Sequence, residues 1–123
     1  MRETIQSKLE ELTSVQSGKV VPDDIIVENT TYFGYELNTN FVNRDFDKNT
    51  TYRVNIIGYI TRKTDLAENT QEIVDNAAED IIDKLKDLNF KCSSQDISIS
   101  DEVIKTQITG YTEYNEINNK FIV

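Results

Sequence analysis

Residues Thr50 to Phe90 constrain the fold more than any other part of the chain. From Thr50 to Arg62 the side chains alternate. Tyr52, Val54, Ile56 and Ile60 fall on one face, and Arg53, Asn55, Ile57, Tyr59 and Thr61 on the other. A period of two is the signature of a strand. Mixed polarity on the second face is what a half-covered antiparallel strand carries. Gly58, inside the run, predicts a bend or bulge. A charged connection follows to Asn69, which together with Glu72 forms a capping box for a helix. Ile73, Ala77, Ile81, Leu85 and Leu88 recur at helical spacing, and Val74, Ala78 and Ile82 widen the stripe. That is the pattern of a helix lying on a sheet. The spacing predicts a helix over Thr70 to Leu88, ended by Asn89.

The flanking segments extend this plan. Ile5, Leu9, Leu12 and Val15 share one stripe and predict a first helix from Glu3 to Gln16, stopped by Ser17-Gly18. Pro22 and Asp23-Asp24 predict a turn, followed by a short strand over Ile25 to Glu28. Thr31 to Phe41 alternates, with Phe33, Tyr35 and Leu37 opposed to Tyr32, Gly34 and Glu36. After Phe90 the β pattern returns around Ile97 and Ile99, and again over Val103 to Tyr114. The predicted fold class is α+β, in the order α-β-β-β-α-β-β give or take one strand. The sheet is mostly antiparallel, with an N-terminal helix and one long helix packed on one face. Its 123 residues, taken as residues 1–123, form a single domain.

Composition removes whole classes of chemistry. There is no histidine and no tryptophan, and one cysteine. A lone Cys92 can form neither an intrachain disulfide nor a CxxC site. The four glycines, Gly18, Gly34, Gly58 and Gly110, stand too far apart to cradle a phosphate. A formal charge of −9 opposes tight nucleic-acid binding, which depends on Lys and Arg displacing counterions. Arg62 and Lys63 with Arg53 are the nearest thing to a basic patch, and solvated strand-end charges are the plainer reading. No run approaches the roughly 18 apolar residues that span a bilayer, so no membrane partner is expected.

Each candidate site has a plainer reading. Asp45-Phe46-Asp47-Lys48-Asn49 opens like a calcium loop. However, Thr50 stands where Gly belongs and Ile56 where the bidentate Glu belongs. The carboxylate pairs Asp23-Asp24, Glu79-Asp80 and Asp101-Glu102 fall in turns or on the wet side of a helix, not in the apolar pocket that raises a catalytic pKa. Cys92 reads as a small buried hydrophobe. For the tyrosines, cross-strand packing ranks first and a protein interface second; base stacking is third. No catalytic residue, cofactor or metal ligand is assigned, and the chain is not expected to be an enzyme.

The arrangement resembles the tail terminator, or tail completion, proteins of long-tailed bacteriophages and related contractile particles. The likeness runs through the helix Glu3 to Gln16, Val20-Val21-Pro22, and the strands up to Tyr52-Arg53-Val54-Asn55-Ile56-Ile57-Gly58-Tyr59. It continues through the helix Thr70 to Leu88 and the strand Lys105 to Tyr114. The resemblance implies a virion protein assembled in the host cytoplasm that forms a hexameric ring at the head-proximal end of the tail. The implied partners are further copies of itself, the tail tube protein, the head–tail connector protein and, as a further candidate, the sheath protein. DNA would pass through the lumen without specific binding. The Asn-, Lys- and Ile-rich composition is compatible with a phage of low-GC Gram-positive bacteria.

Physical considerations favour a partner independently. Hydrophobic residues make up 37% of the chain, a thin supply for a core. About five large apolar groups on the long helix, at roughly 1.5–3 kcal/mol each, are set against about 1.5 kcal/mol per ordered residue. Exposed strand edges invite pairing with another chain. Two interface candidates follow. One is the polar segment Arg44, Asp45, Phe46, Asp47 and Lys48. The other is the apolar tail Phe121, Ile122 and Val123, which either pairs at home as a last strand or docks on a neighbour. The alternatives to a terminator are a head–tail connector, a minor capsid protein, and a small acidic module that binds a host protein.

Overall fold

The structure, a computed structural model, describes residues 1–20, 29–44, 50–65, 68–99, 102–115 and 120–121. The element order is α1 (Arg2–Glu10), β1 (Gln16–Gly18), β2 (Tyr32–Arg44), β3 (Thr50–Lys63), α2 (Thr70–Lys86), β4 (Lys91–Ile99), β5 (Val103–Asn115) and β6 (Lys120–Phe121). Six strands form one open mixed sheet in the order β1-β2-β3-β5-β4, with β6 added to β5. Among the described residues, only the β1–β2 pair is parallel. The fold is α+β, as the alternation and the helical stripe predict.

The helix α2 forms where the capping box places it. Asn69 Oδ1 accepts from the Glu72 backbone N–H at 3.2 Å. The reciprocal contact comes from the Asn69 side-chain amide, whose Nδ2 donates to Glu72 Oε2 at 3.3 Å. Its C-terminus closes in a Schellman motif. Asn89 takes a positive φ of 62°. The Phe90 N–H reaches the Leu85 carbonyl at 3.1 Å, and the Asn89 N–H reaches that of Lys86 at 2.9 Å. Val74, Ala77, Ala78, Ile81, Leu85 and Leu88 are buried, while Ile73 and Ile82 sit at the margin of the stripe.

Both helices serve the same face of the sheet. Ile5 and Leu9 of α1 join the α2 stripe, Phe33, Val54, Ile56, Ile60, Ile104 and Ile108 in one apolar core. Thr112 ties the layers together, because its buried hydroxyl donates to the Leu88 carbonyl at 3.1 Å. Ion pairs tie the α1 end of the chain to the α2 end, Lys8 to Asp87 at 3.6 Å and Lys84 to Glu11 at 3.5 Å.

Three expectations are corrected. The first helix ends at Glu10, not Gln16, and Gln16-Ser17-Gly18 is the strand β1. Leu12 and Val15 still face the core, so the apolar stripe persists although the helix does not. Gly18 is not a left-handed cap, since no glycine has positive φ. Gly58 makes no bulge, for the register runs unbroken through it on both sides. The residue is needed for space: a Cβ there would stand 2.5 Å from Phe33 Cε1 and 2.8 Å from the Gly34 carbonyl oxygen. The ladder irregularities fall instead at Phe41/Asn43 and Asp96/Ser98. The predicted strand over Ile25 to Glu28 lies outside the described residues.

Candidate interaction surface

Residues directly opposite across antiparallel strands share a face, so the register builds the far side of the sheet row by row. Asn38, Asn55, Tyr111 and Lys91 form one row. Glu36, Ile57, Thr109 and Ser93 form the next, followed by Gly34, Tyr59, Gln107 and Gln95. Among the described residues, no helix packs on this face; the backbone at Lys19 and Val20 closes over Gly34 at its edge, and Thr61 and Asn115 are buried towards its two ends. Ile57 is 39% exposed at its centre.

Two tyrosines organise the surface, each beneath a cation. The Arg53 guanidinium lies 4.1 Å from the Tyr111 ring centroid, and Lys91 approaches the same ring at 6.0 Å. Lys105 Nζ lies 4.8 Å from the Tyr59 centroid. Gln107 Nε2 donates to the Tyr59 hydroxyl at 3.4 Å, and the Ser93 and Thr109 hydroxyls meet at 3.4 Å. Among the described residues of β2 to β5, this face carries four basic side chains, Arg53, Lys63, Lys91 and Lys105, against two acidic ones, Glu36 and Glu113. Its balance is thus opposite in sign to the net −9 of the whole chain.

Arg53, Arg62 and Lys63, the nearest thing to a basic patch in the sequence, do not assemble into one. Arg62 points to the helix side and is 9% exposed. Its Nε and Nη2 form a fork on Glu68, at 3.0 and 3.1 Å, and Nη1 donates to the Thr31 hydroxyl at 3.0 Å. It is a structural pin between the end of β3 and the start of α2, not a solvated charge. Arg53 and Lys63 remain on the open face. Lys91 and Lys105, which complete the basic set, come from strands remote in sequence and become neighbours only through the β3-β5-β4 order.

The helix side is acidic. Glu72, Asp75, Glu79, Asp80 and Asp83 are all exposed on α2 before the first lysine, Lys84. Asp75, Glu79 and Asp83 follow a four-residue step and line a groove between α2 and β4 of about 480 Å³, together with Asp96 and Lys86. A second groove of about 570 Å³ lies along the outer edge of β2, between α1 and the end of β1. β1 pairs with β2 only as far as Gly34. Beyond it, Arg2 Nη2 donates to the Leu37 carbonyl at 3.2 Å.

The two interface candidates read from the sequence fare differently. Phe121 pairs at home opposite Tyr114, packs edge-on to that ring with centroids 5.0 Å apart, and gives its carbonyl to Asn89 Nδ2 at 2.7 Å. Arg44 lies on β2 opposite Thr50. Asp45, Phe46, Asp47, Lys48, Ile122 and Val123 lie outside the described residues, as does the calcium-like segment up to Asn49. Cys92 is half-buried, and burial pushes its thiol up to about 11 against the opposing pull of Lys86. It therefore lacks the thiolate character of a reactive cysteine. Among the described residues no group of His, Cys, Asp and Glu is arranged to hold a metal. Among them, too, no helix is long and apolar enough to cross a membrane. No family model and no curated protein matches the chain.

Proposed function

We propose that this chain is a structural virion protein, a tail terminator whose copies close into a ring on the end of a phage tail tube. The ring would stop tube polymerisation and present a surface to the head connector. The observation that carries this reading is the one-sided sheet: among the described residues both helices pack on one face, and no helix covers the other around Tyr59, Ile57 and Tyr111. A layer covered on one side only gains most by meeting further copies, and head-to-tail contacts that turn by a fixed angle close into rings. The two unequal edges, β1-β2 and β4, add main-chain groups for lateral contact.

A tube-length assay tests the reading. The purified chain is added to polymerising tail tube protein, and the tubes are measured by electron microscopy. Short, uniformly capped tubes with a ring of density at one end are expected. Tubes of unchanged length, together with a chain that stays monomeric in sedimentation at high concentration, would overturn the proposal. A ring seated on the head connector but absent from isolated tubes would instead favour the connector role.

A further inference from the structure

We infer that the open sheet face of one copy docks on the acidic flank of the next, where α2 and β4 form their groove. The inference rests on the ring reading above and names the surfaces that would make the ring.

Charge complementarity identifies the occupant. The open face offers Arg53 and Lys91 around Tyr111, with Lys63 and Lys105 farther along the sheet. The flank offers Asp75, Glu79 and Asp83 at one helical stripe, with Asp96 across the groove. Both surfaces belong to the same chain, so each copy carries a donor face and an acceptor flank. Such a contact is heterologous and propagates from copy to copy. The groove lies between α2 and β4, the edge strand of the sheet.

A nucleic acid is the poorer occupant of this face. Base stacking needs free aromatic faces, and Arg53 and Lys105 already lie against the Tyr111 and Tyr59 rings, 4.1 and 4.8 Å from their centroids. Glu36 and Glu113 stand on the same surface. A protein surface fits better, because tyrosines held against cations are rigid anchors of the kind that dominate interfaces, and fixed carboxylates can reach the guanidinium and ammonium groups.

A charge-swap experiment on the full chain tests this. One variant carries Arg53→Glu and Lys91→Glu, and a second carries Asp75→Lys and Glu79→Lys. All four positions are exposed, and thermal melts check that each variant folds. The neutral pairs Arg53→Gln with Lys91→Gln, and Asp75→Asn with Glu79→Gln, serve where a reversal impairs folding. Self-association is measured by sedimentation equilibrium. Each reversed variant alone should associate about a hundredfold or more weakly than the natural chain, since like charges then face each other. An equimolar mixture of the two should recover association, because each acidic face now meets a basic flank. If the natural chain forms rings and both variants do so equally well, or the mixture is no better than its parts, the inference falls while the ring reading stands. If the natural chain is monomeric throughout, both fall. Tight binding of a short single-stranded DNA that is lost in the Arg53→Glu/Lys91→Glu variant would also overturn it, in favour of a nucleic-acid occupant.

Discussion

Gly58 shows how much a single position can specify. Its missing side chain lets the Phe33 ring lie across β3 and stack on Tyr35, with centroids 5.4 Å apart. Gly58→Ala would force the buried Phe33 ring or the β2 backbone to move. A loss of about 1–3 kcal/mol in urea unfolding is expected. Sequence alone suggests a bend there, because a glycine in a strand has two meanings and only the partner strand decides between them. Arg62 carries a second prediction. Arg62→Met leaves Glu68 without its fork and Thr31 without its donor, at a cost of about 2 kcal/mol, below the usual range because Glu68 keeps some contact with water. Arg62→Lys should recover only part of the loss, since an ammonium cannot make the planar two-point contact. Cys92 gives a prediction in pH. Its thiol titrates near 11 in the folded chain, above the ordinary value of 9.0. Its contribution is therefore fully present below about pH 9 and is lost as pH rises towards 11. Tyr32 and Tyr35, also raised by burial, steepen the same alkaline decline. In Cys92→Ala, stability measured from about pH 8 to pH 11 should fall less steeply; an unchanged slope would contradict the effect of burial.

Among the secondary-structure elements, α2 is the most legible in the sequence, since its cap, stripe and terminator are all local signals. Asn69 and Asn89 do what their positions predict, while Glu72 accepts from the Asn69 side-chain amide in place of its backbone N–H. Asn89→Ala should cost more than Asn89→Gly, because an added Cβ without the asparagine side chain is strained at positive φ. The difference, about 1 kcal/mol, is read by urea unfolding. Both substitutions should speed hydrogen exchange at Lys120 and Phe121, whose strand loses the Asn89 amide. The end of α1 is not legible. Leu12 and Val15 continue the helical spacing, yet they reach the core from a turn and a strand entry. β1 is three residues with no alternation to read, and it exists because β2 offers it an edge.

For the molecule as a whole, the one-sided plan can be read in advance from the mixed polarity of Arg53, Asn55, Ile57, Tyr59 and Thr61. The charge of the open face cannot. Arg53, Lys91 and Lys105 are scattered through a chain of net −9, and only the strand order gathers them around two tyrosines. Arg62, adjacent to Lys63 in sequence, would be expected to join them, but alternation sends it to the opposite face. The same separation of charge leaves α2 acidic, so among the described residues the open face and the α2 flank are opposite in sign. Association between copies should accordingly weaken with added salt, because exposed charges are screened over about 8 Å at physiological ionic strength.

Whether other copies of the chain complete the uncovered sheet face can be read by hydroxyl-radical footprinting across a concentration series, with Ile57, Tyr59 and Tyr111 as reporters. Labelling of these three residues should fall severalfold as the chain assembles. Labelling that stays constant from the most dilute to the most concentrated sample would show that the face remains in water and that the sheet needs no partner.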